Sequence, residues 1–589
     1  MTPDRLTVWA PRAGAVELVL PGRGRREPMR AEPDGWFSAP ALPPGTDYAF
    51  SLDGADPLPD PRSPWQPHGV HGPSRTFDAA AFAWPSGWPG RDARGTVHYE
   101  LHVGTFTPGG TLDSAIDGLD HLVELGVGMV ELMPLAAFDG DRGWGYDGVG
   151  LYAVHAAYGG PAALQRFVAA AHERGLAVCL DVVYNHLGAV GNYLGRFGPY
   201  FSSQTMWGEA VNLDGQDCGP VRAFVLDNAL RWFRDFGLDA LRLDAIHALV
   251  DDSPVHVLAE LSERTEALAA ELGRPLSLVA ESDLNQPRVI LPTSEGGLGM
   301  TAQWADDVHH AVHALLTGER HGYYVDFGSI EVLEKALTGA FVHDGGYSTF
   351  RKVPWGAPVP TAVDGHRFVV CSQNHDQVGN RALGDRPGVV LTDGQLAIES
   401  ALVLTSPFTP MLFMGQEWGA RTPFQFFTSF SDEFMGEAVR EGRAREFGSH
   451  GWEVVYGGHV EVPDPQAITT FVASRLDWAE PDQPRHARML AFHRDLIALR
   501  ATTPEIASGD RAATRLEFDP ADEAWFVVHR GGVAVVVNLD ASPRDVPLAD
   551  ATGRQVLLAW QPPVLGDGSF RMPGHAVAIL GPRGGQPSS

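Results

Sequence analysis

Hydrophobic and polar positions change their spacing twice along this chain, and the changes divide it into three parts. In residues 1–90, apolar and polar positions alternate in short runs separated by Gly and Pro, which predicts a small antiparallel β-sandwich. In residues 91–500, short apolar runs alternate with segments of helical periodicity. In residues 501–589 the helical periodicity is lost and alternating runs return, which predicts a second β-sandwich.

The central part contains eight apolar runs that are typical of buried parallel strands, because most are apolar on both faces. They are VHYELHV, VGMVELMPL, LAVCLDVVYNH, LDALRLDAI, LSLVAESD, TAQWADD, FVVCSQNHD and TPMLFMGQEW. Amphipathic segments lie between many of them. In the first, leucine or isoleucine recurs every three or four residues from Leu112 to Leu125, and Gly126 follows as a stop signal. This alternation predicts an α/β fold, a closed (β/α)8 TIM barrel flanked by N-terminal and C-terminal β-sandwich domains.

The segment between the third and fourth runs, 187–219, is long and rich in glycine and aromatic residues. Loops of this length in a compact domain are usually functional, so we predict a lid subdomain over one face of the barrel. The segment offers only Glu209, Asp214 and Asp217 as acidic residues. Since Ca²⁺ needs several clustered oxygen ligands, we predict no metal and no other cofactor.

Composition narrows the classes of partner. The chain of 589 residues has a formal net charge of −29, and such an acidic surface repels phosphate backbones and anionic lipids. Nucleic acid and membranes are therefore not expected partners. The three cysteines lack CxxC spacing, which argues against a disulfide framework and a zinc site. The first residues show no signal-peptide pattern, so we expect a cytoplasmic protein, and we expect it to be a monomer.

Polar side chains cluster where four of the apolar runs end, and in a parallel barrel these ends line the active site. Asp181 by itself would more often be a structural hydrogen-bonding residue. Four such strand ends are hard to explain by folding, because a buried charge must be paired or neutralised. The groups are Asp181, Asn185 and His186 after the third run, Arg242 and Asp244 after the fourth, Glu281 after the fifth, and Asn374, His375 and Asp376 after the seventh.

Two carboxyl groups in different protonation states are what glycoside cleavage requires. Arg242 and Asp244 are two residues apart on a strand, so their side chains share a face, and the guanidinium favours an ionised Asp244 that could act as a nucleophile. Glu281 follows the apolar run LSLVA, where burial and like charge raise the pKa of a carboxyl group, as suits a general acid. His186 and His375 can donate hydrogen bonds to sugar hydroxyls.

The segments DVVYNH, GLDALRLDAIH, VAES and SQNHD resemble, in this order, the short sequence regions of the α-amylase superfamily. The resemblance covers most of the chain, and its motifs are specific in combination. It implies a retaining mechanism in which Asp244 is the nucleophile, Glu281 is the general acid and base, and Asp376 stabilises the transition state.

The resemblance also implies substrate-binding roles. Tyr146 in WGYD would be the aromatic platform under the sugar at the cleaved position, although a core aromatic residue near the barrel rim is the alternative. His247 would contact the leaving sugar. Four residues at the rim of the site are further candidates for which ordinary capping or solvation is an equal alternative: Asp306, His309, Gln377 and Asn380. The remaining binding candidates are the strand-end residues Asp181, His186, Arg242 and His375.

Longer segments resemble one branch of that superfamily, whose members hydrolyse the α-1,4 bond next to the terminal trehalose of maltooligosyl-trehalose. The segments are DPRSPWQPHGVHGPS, RGWGYDGVGLYAV, NHLGAVGNYLGRFGPYF, WADDVHHAVHALLTGE, QNHDQVGNRALGDR and FMGQEWGARTPFQFF. The resemblance implies maltooligosyl-trehalose and related α-glucans as partners, and an N-terminal sandwich similar to a glycogen-binding domain. A glycogen branching or debranching enzyme of the same superfamily is the nearest alternative. An inactive glucan-binding protein is a distant one, because the expected catalytic groups are all present.

Overall fold

Eight parallel strands form a closed barrel at the centre of the computed structural model, which describes residues 5–205, 208–449, 456, 458, 460–566 and 568–583. The strands are β1 (His98–Leu101), β2 (Met129–Leu132), β3 (Ala177–Val182), β4 (Ala240–Leu243), β5 (Ser277–Ala280), β6 (Ala302–Trp304), β7 (Phe368–Cys371) and β8 (Thr409–Phe413). Each strand pairs with the next along the chain, and β8 pairs with β1. The predicted fold class is confirmed, and every predicted run contains one barrel strand.

Helices follow most of the strands. They are α1 (Val103–Phe106), α2 (Leu112–Ala115), α3 (Leu119–Leu125), α4 (Gly160–Glu173), α5 (Leu194–Phe197), α6 (Cys218–Phe236), α7 (Val257–Leu272), α8 (Asp306–Thr317), α9 (Ile330–Gly339), α10 (His375–Gly379), α11 (Asp393–Leu404), α12 (Glu433–Ser449), α13 (Ile468–Ala473), α14 (Pro484–Thr502) and α15 (Pro504–Ala507). The connection from β5 to β6, all of it described, contains two 3-10 turns and no α-helix. Within the described residues, no helix has the length and apolarity needed to cross a bilayer.

The periodic segment 112–125 forms two helices, α2 and α3, joined by a 3-10 turn at Ile116–Gly118. A Cβ atom at Gly118 would lie 2.6 Å from the ring of Phe106, so the chain approaches that ring closely only because the residue is glycine. The leucines of the segment are buried as the periodicity predicts. At about 1.5–3 kcal/mol for each fully buried leucine, this face anchors the segment to the barrel.

The barrel interior contains a separate apolar cluster of small and medium side chains. Its members from the strands are Met129, Ala177, Cys179, Ala240, Val279, Ala302, Trp304, Val369, Cys371 and Met411. Small residues alternate with larger ones because side chains from neighbouring strands fill the interior in layers. This packing holds the carboxyl ends of the strands at fixed positions.

The regions before and after the barrel are antiparallel β-structures. The N-terminal strands are Arg5–Trp9, Val16–Leu20, Arg25–Pro28, Arg30–Ala31, Trp36–Pro40, Asp47–Leu52 and Ser74–Arg75, in sheets of three and four strands. The C-terminal strands are Thr514–Asp519, Asp522–Arg530, Val533–Asn538, Arg544–Pro547, Arg554–Ala559, Val564–Leu565, Ser569–Met572 and Ala576–Pro582, in sheets of five and three. The boundaries near residues 90 and 500 stay predictions.

Three short hairpins lie in loops of the barrel domain. One pairs Ala136–Ala137 with Gly150–Val154 in the loop after β2. A second pairs Phe201–Thr205 with Gly208–Val211 inside the segment 187–219, in which a lid subdomain was predicted. The third pairs Tyr347–Ser348 with Val353–Pro354 in the connection from β6 to β7.

Candidate active site

Arg242 on β4 is the centre of a carboxylate cluster at the carboxyl ends of the strands. Its side chain is fully buried, and Nη1 donates to Asp181 Oδ2 at 2.9 Å and to Asp244 Oδ1 at 2.8 Å. Nη2 lies 3.7 Å from Glu281 Oε2. The guanidinium also lies 4.3 Å from the ring centre of Trp304. Burial opposes the charge, but the surrounding carboxylates raise the pKa of Arg242 well above its ordinary value.

Asp244 directly follows β4 and is held on both of its carboxylate oxygens. Oδ1 accepts from Arg242, and Oδ2 accepts from Asn185 Nδ2 at 2.8 Å. The same amide donates to the backbone carbonyl of Asp244 at 2.9 Å. Charge-assisted and neutral donors on opposite oxygens fix the orientation of an ionised carboxylate, which is what a nucleophile needs.

Glu281 directly follows β5, and its environment favours the protonated state. Burial raises the pKa of Glu281 to about 8; Arg242 opposes this change, and the nearby Asp244 and Asp376 add to it. The backbone N–H of Ala245 donates to Glu281 Oε2 at 2.5 Å. Ala245 has φ 39° and ψ 53°, a left-handed conformation that is unusual for a residue with a Cβ atom. A strained backbone turn therefore joins the residue after Asp244 to the second carboxyl group.

Asp376 lies in α10, a five-residue helix that begins directly after the polar end of β7. Asn374 caps this helix, since its Oδ1 accepts from the backbone N–H of Gln377 at 2.7 Å. The Asp376 side chain is 39% exposed, and Asn380 Nδ2 donates to its Oδ1 at 3.1 Å. Asp376 is therefore accessible to a ligand while its orientation is set by the helix.

Tyr146, in the loop after β2, connects two of these groups. Its Oη lies 2.6 Å from Asp181 Oδ2 and 2.7 Å from His375 Nε2, within hydrogen-bond distance of both. The two rings are stacked, with centres 5.1 Å apart. His186 contacts the same residue through Nε2, which lies 2.9 Å from the carbonyl oxygen of Tyr146. Burial raises the pKa of Asp181 to about 7, against the influence of Arg242.

The structure thus brings most of the predicted residues together, but not all of them face the same space. His309 on α8 is buried, with Nδ1 2.7 Å from the carbonyl oxygen of Ser372 and Nε2 3.0 Å from Tyr324 Oη. Both of its ring nitrogens contact the protein, so the structure does not support a direct bond from His309 to a sugar. His247 Nε2 lies 4.0 Å from Asp283 Oδ1, on the Glu281 side of the cluster.

Asp306 and Gln377 lie at the edge of the cluster. Burial raises the pKa of Asp306, the first residue of α8, to about 6, and Asp306 in turn contributes to the raised pKa of Glu281. Gln377 Oε1 is buried and has no hydrogen-bond partner among the described residues.

Of three residues with clear roles in this geometry, Glu100 and Trp304 were missing from the predicted site, and Asn185 was noted at its strand end without a role. Glu100, at the end of β1, contacts His375; Asn185 orients Asp244; and Trp304 covers the guanidinium of Arg242. A signal existed for the first two, because each is a polar residue at the end of an apolar run. Trp304 could not be distinguished by its type from an ordinary buried aromatic residue.

Comparisons with known proteins agree with this geometry. A family model described as the catalytic domain of alpha amylase matches residues 74–199, and one described as a domain of unknown function (DUF3459) matches residues 509–579. The malto-oligosyltrehalose trehalohydrolase of Rhizobium sp. (strain M-11) is 50% identical, covering 98% of this chain and 97% of that protein. The protein of the same name from Arthrobacter ramosus is 52% identical over 92% of this chain and 94% of its own length.

A solved structure supports the same grouping. The structure described as a putative alpha amylase from Salmonella typhimurium matches with a TM-score of 0.88 and 37% identity. The match covers 98% of this chain and 97% of that one, so all three parts of the fold are shared. The chain belongs to the malto-oligosyltrehalose trehalohydrolase family and is a glycoside hydrolase of the α-amylase type.

Proposed function

We propose that the enzyme hydrolyses the α-1,4-glucosidic bond next to the terminal trehalose of maltooligosyl-trehalose, using Asp244, Glu281 and Asp376. The names of the relatives support the substrate. One observation carries the assignment of roles: Arg242 donates to Asp244 at 2.8 Å but is 3.7 Å from Glu281. Of two carboxyl groups on neighbouring strands, one is thus paired with a cation and the other is left to hold a proton.

In the first step, Asp244 attacks the anomeric carbon of the glucose unit on the non-reducing side of the cleaved bond. Glu281 gives its proton to the bridging oxygen, and trehalose leaves with an intact hydroxyl group. A covalent glycosyl-enzyme remains on Asp244. A pKa of about 8 keeps Glu281 protonated at neutral pH, so the acid is ready for this step.

In the second step, Glu281 acts as a carboxylate and takes a proton from water. The water oxygen attacks the anomeric carbon, the bond to Asp244 breaks, and a shortened maltodextrin leaves with retained configuration. Asp376, whose side chain is partly exposed, stabilises the positive charge that develops on the sugar in both steps. The ring of Tyr146 provides an apolar surface against which the sugar packs.

Other predicted residues act around this centre. Asp181 and His186 fix Tyr146 from two sides, so we propose that they position the platform. Gln377, Asn380 and His247 bind sugar hydroxyls at the rim. All three cysteines have free thiols, which supports the expected location in a reducing cytoplasm, and size-exclusion chromatography would test the expected monomer.

The test is product analysis with maltotriosyl-trehalose. We expect free trehalose and maltotriose in equal amounts, and maltotriose that is initially the α-anomer by proton NMR. If no trehalose appears and α-1,6 links in glycogen are formed or cut instead, a branching or debranching activity replaces this proposal. An Asp244→Asn variant should release no trehalose, and Asp217→Asn, which changes a residue in the segment 187–219, serves as the matched control.

A further inference from the structure

Glu100, at the carboxyl end of β1, holds His375 with both of its carboxylate oxygens. The backbone N–H of His375 donates to Oε2 at 2.8 Å, and Nδ1 donates to Oε1 at 2.6 Å. Both side chains are 1% exposed. Because His375 is the first residue of α10, its backbone N–H has no partner within the helix. Glu100 therefore fixes both the start of the helix that contains Asp376 and the ring of His375.

A chain of hydrogen bonds continues from this ring to the centre of the cluster. His375 Nε2 lies 2.7 Å from Tyr146 Oη, which lies 2.6 Å from Asp181 Oδ2. Asp181 in turn accepts from Arg242 Nη1 at 2.9 Å. A tyrosine hydroxyl has one hydrogen, so the direction of its bond depends on whether His375 Nε2 carries a proton.

We propose that Glu100 is a positioning residue, which acts through His375 and Tyr146 by keeping His375 as an imidazolium, so that Tyr146 donates its hydrogen to Asp181. The inference rests on the function proposed above. With a proton on Nε2, His375 donates to Tyr146 Oη, and the hydroxyl hydrogen points to Asp181. Without that proton, Nε2 competes with Asp181 for the hydroxyl hydrogen and turns a lone pair toward Asp376 Oδ2, which is 3.4 Å away.

The groups that surround His375 support the imidazolium. Burial lowers the pKa of His375, and Arg242 also lowers it, but Asp376 and Glu100 together raise it to about 9. His102, near the end of β1, adds no charge, because burial lowers its pKa to about 4. Asp181, beyond the tyrosine hydroxyl, is the remaining acid of the hydrogen-bond chain. Removal of the Glu100 charge alone is thus expected to shift the balance toward neutral His375.

The test compares Glu100→Gln with Glu131→Gln in the full-length enzyme. Glu131 is opposite Glu100 in the register of β1 and β2 and is equally buried, but it contacts His98 and not His375. Glu100→Gln keeps the shape and removes the charge. We expect a kcat on maltotriosyl-trehalose that is up to about 100-fold lower, with little change in KM, since a small misplacement of the groups around the reacting bond can cost about 10²-fold. In this variant His375 should lose its proton below the pKa of about 8 at which Glu281 does, so the alkaline limit of the pH–rate profile should move to lower pH.

NMR of histidine labelled at Cε1 reports protonation without substrate. In the wild type, the His375 signal should titrate near pH 9; in Glu100→Gln it should titrate at lower pH, and in Glu131→Gln it should not move. A wild-type His375 that titrates below about pH 7, near the ordinary histidine value, would overturn the proposal even if the variant failed to fold. So would an unchanged titration in Glu100→Gln. An enzyme that released no trehalose would reject the proposed function, and the titration would still decide this inference.

Discussion

Replacing Glu281 with glutamine separates the catalytic role of this side chain from its effect on stability. The change keeps the size of the side chain and can keep the hydrogen bond from the Ala245 N–H, but it removes the proton donor. General acid–base catalysis contributes about 10²- to 10⁴-fold to rate, so trehalose release should fall by at least about 10²-fold. Binding of maltotriosyl-trehalose should remain, because the other contacts of the site are intact.

The stability effect follows from the pKa of Glu281, which burial raises from 4.5 to about 8. Because the folded protein binds this proton more tightly than the unfolded chain, the contribution to stability is fully present below pH 4.5 and is lost as the pH rises to about 8. At about 1.4 kcal/mol per pH unit, the cost of the ionised side chain approaches 5 kcal/mol. Glutamine escapes this cost, so the variant should be more stable than the wild type by up to that amount at alkaline pH.

Calorimetric unfolding of both proteins at acidic and alkaline pH measures this difference, and trehalose release measures activity. The variant and the wild type should have similar melting temperatures at pH 5, and the variant should have the higher melting temperature at pH 8. Two results would refute the reasoning. One is a stability difference that does not grow with pH, and the other is a variant that keeps more than about a tenth of the wild-type rate.

Three further predictions concern the same cluster. In Ala245→Gly, the left-handed backbone loses strain worth about 1–2 kcal/mol, and the flexibility of glycine in the unfolded chain partly offsets this gain. The melting temperature should therefore stay level or rise, and activity should remain. Ala245→Val should lower both the melting temperature and the activity. In Arg242→Lys, one ammonium cannot reproduce the contacts of the guanidinium with three carboxylates, so kcat should fall about 100-fold or more, and unchanged kinetics would contradict this arrangement. In the wild type, kcat should fall as the pH rises through about 8, where Glu281 loses its proton. A substrate with an activated leaving group needs no acid, so its kcat should not show this fall.

The barrel could be predicted from sequence because its strands are covered on both faces. Such strands are apolar without alternation, and each of them stands out between polar loops. The break between α2 and α3 could not be predicted, because it depends on the contact between Gly118 and the ring of Phe106, which a helical pattern does not contain. The short runs that begin at Thr301 and Phe368 form β6 and β7, each of which pairs with two neighbours in the closed barrel.

The candidate site could be predicted in its centre but not in its supporting contacts. Several strands end in polar residues, and Asp244 and Glu281 could be chosen among them because one shares a strand face with Arg242 and the other follows an apolar run. His309 lies on the side of α8 that packs against the protein. On a helix, a shift of one residue turns a side chain by about 100°, so the sequence pattern does not show whether this ring faces the protein or a ligand. Glu100 contacts His375, a residue 275 positions away in sequence, and local patterns contain no information on such pairs. The catalytic roles, the sugar-binding roles and the absence of a metal stay predictions.

The link between Ala245 and Glu281 has a consequence for how this enzyme could change during evolution or engineering. The backbone N–H groups of Glu281 and Ile246 donate to the carbonyl oxygens of Leu243 and Glu281, each at 3.0 Å, so peptide groups tie the two reacting segments together. Mutations in loops far from these segments change side chains and do not remove these backbone hydrogen bonds. New acceptors or chain lengths can therefore be explored at the rim of the cleft while bond-breaking chemistry is preserved.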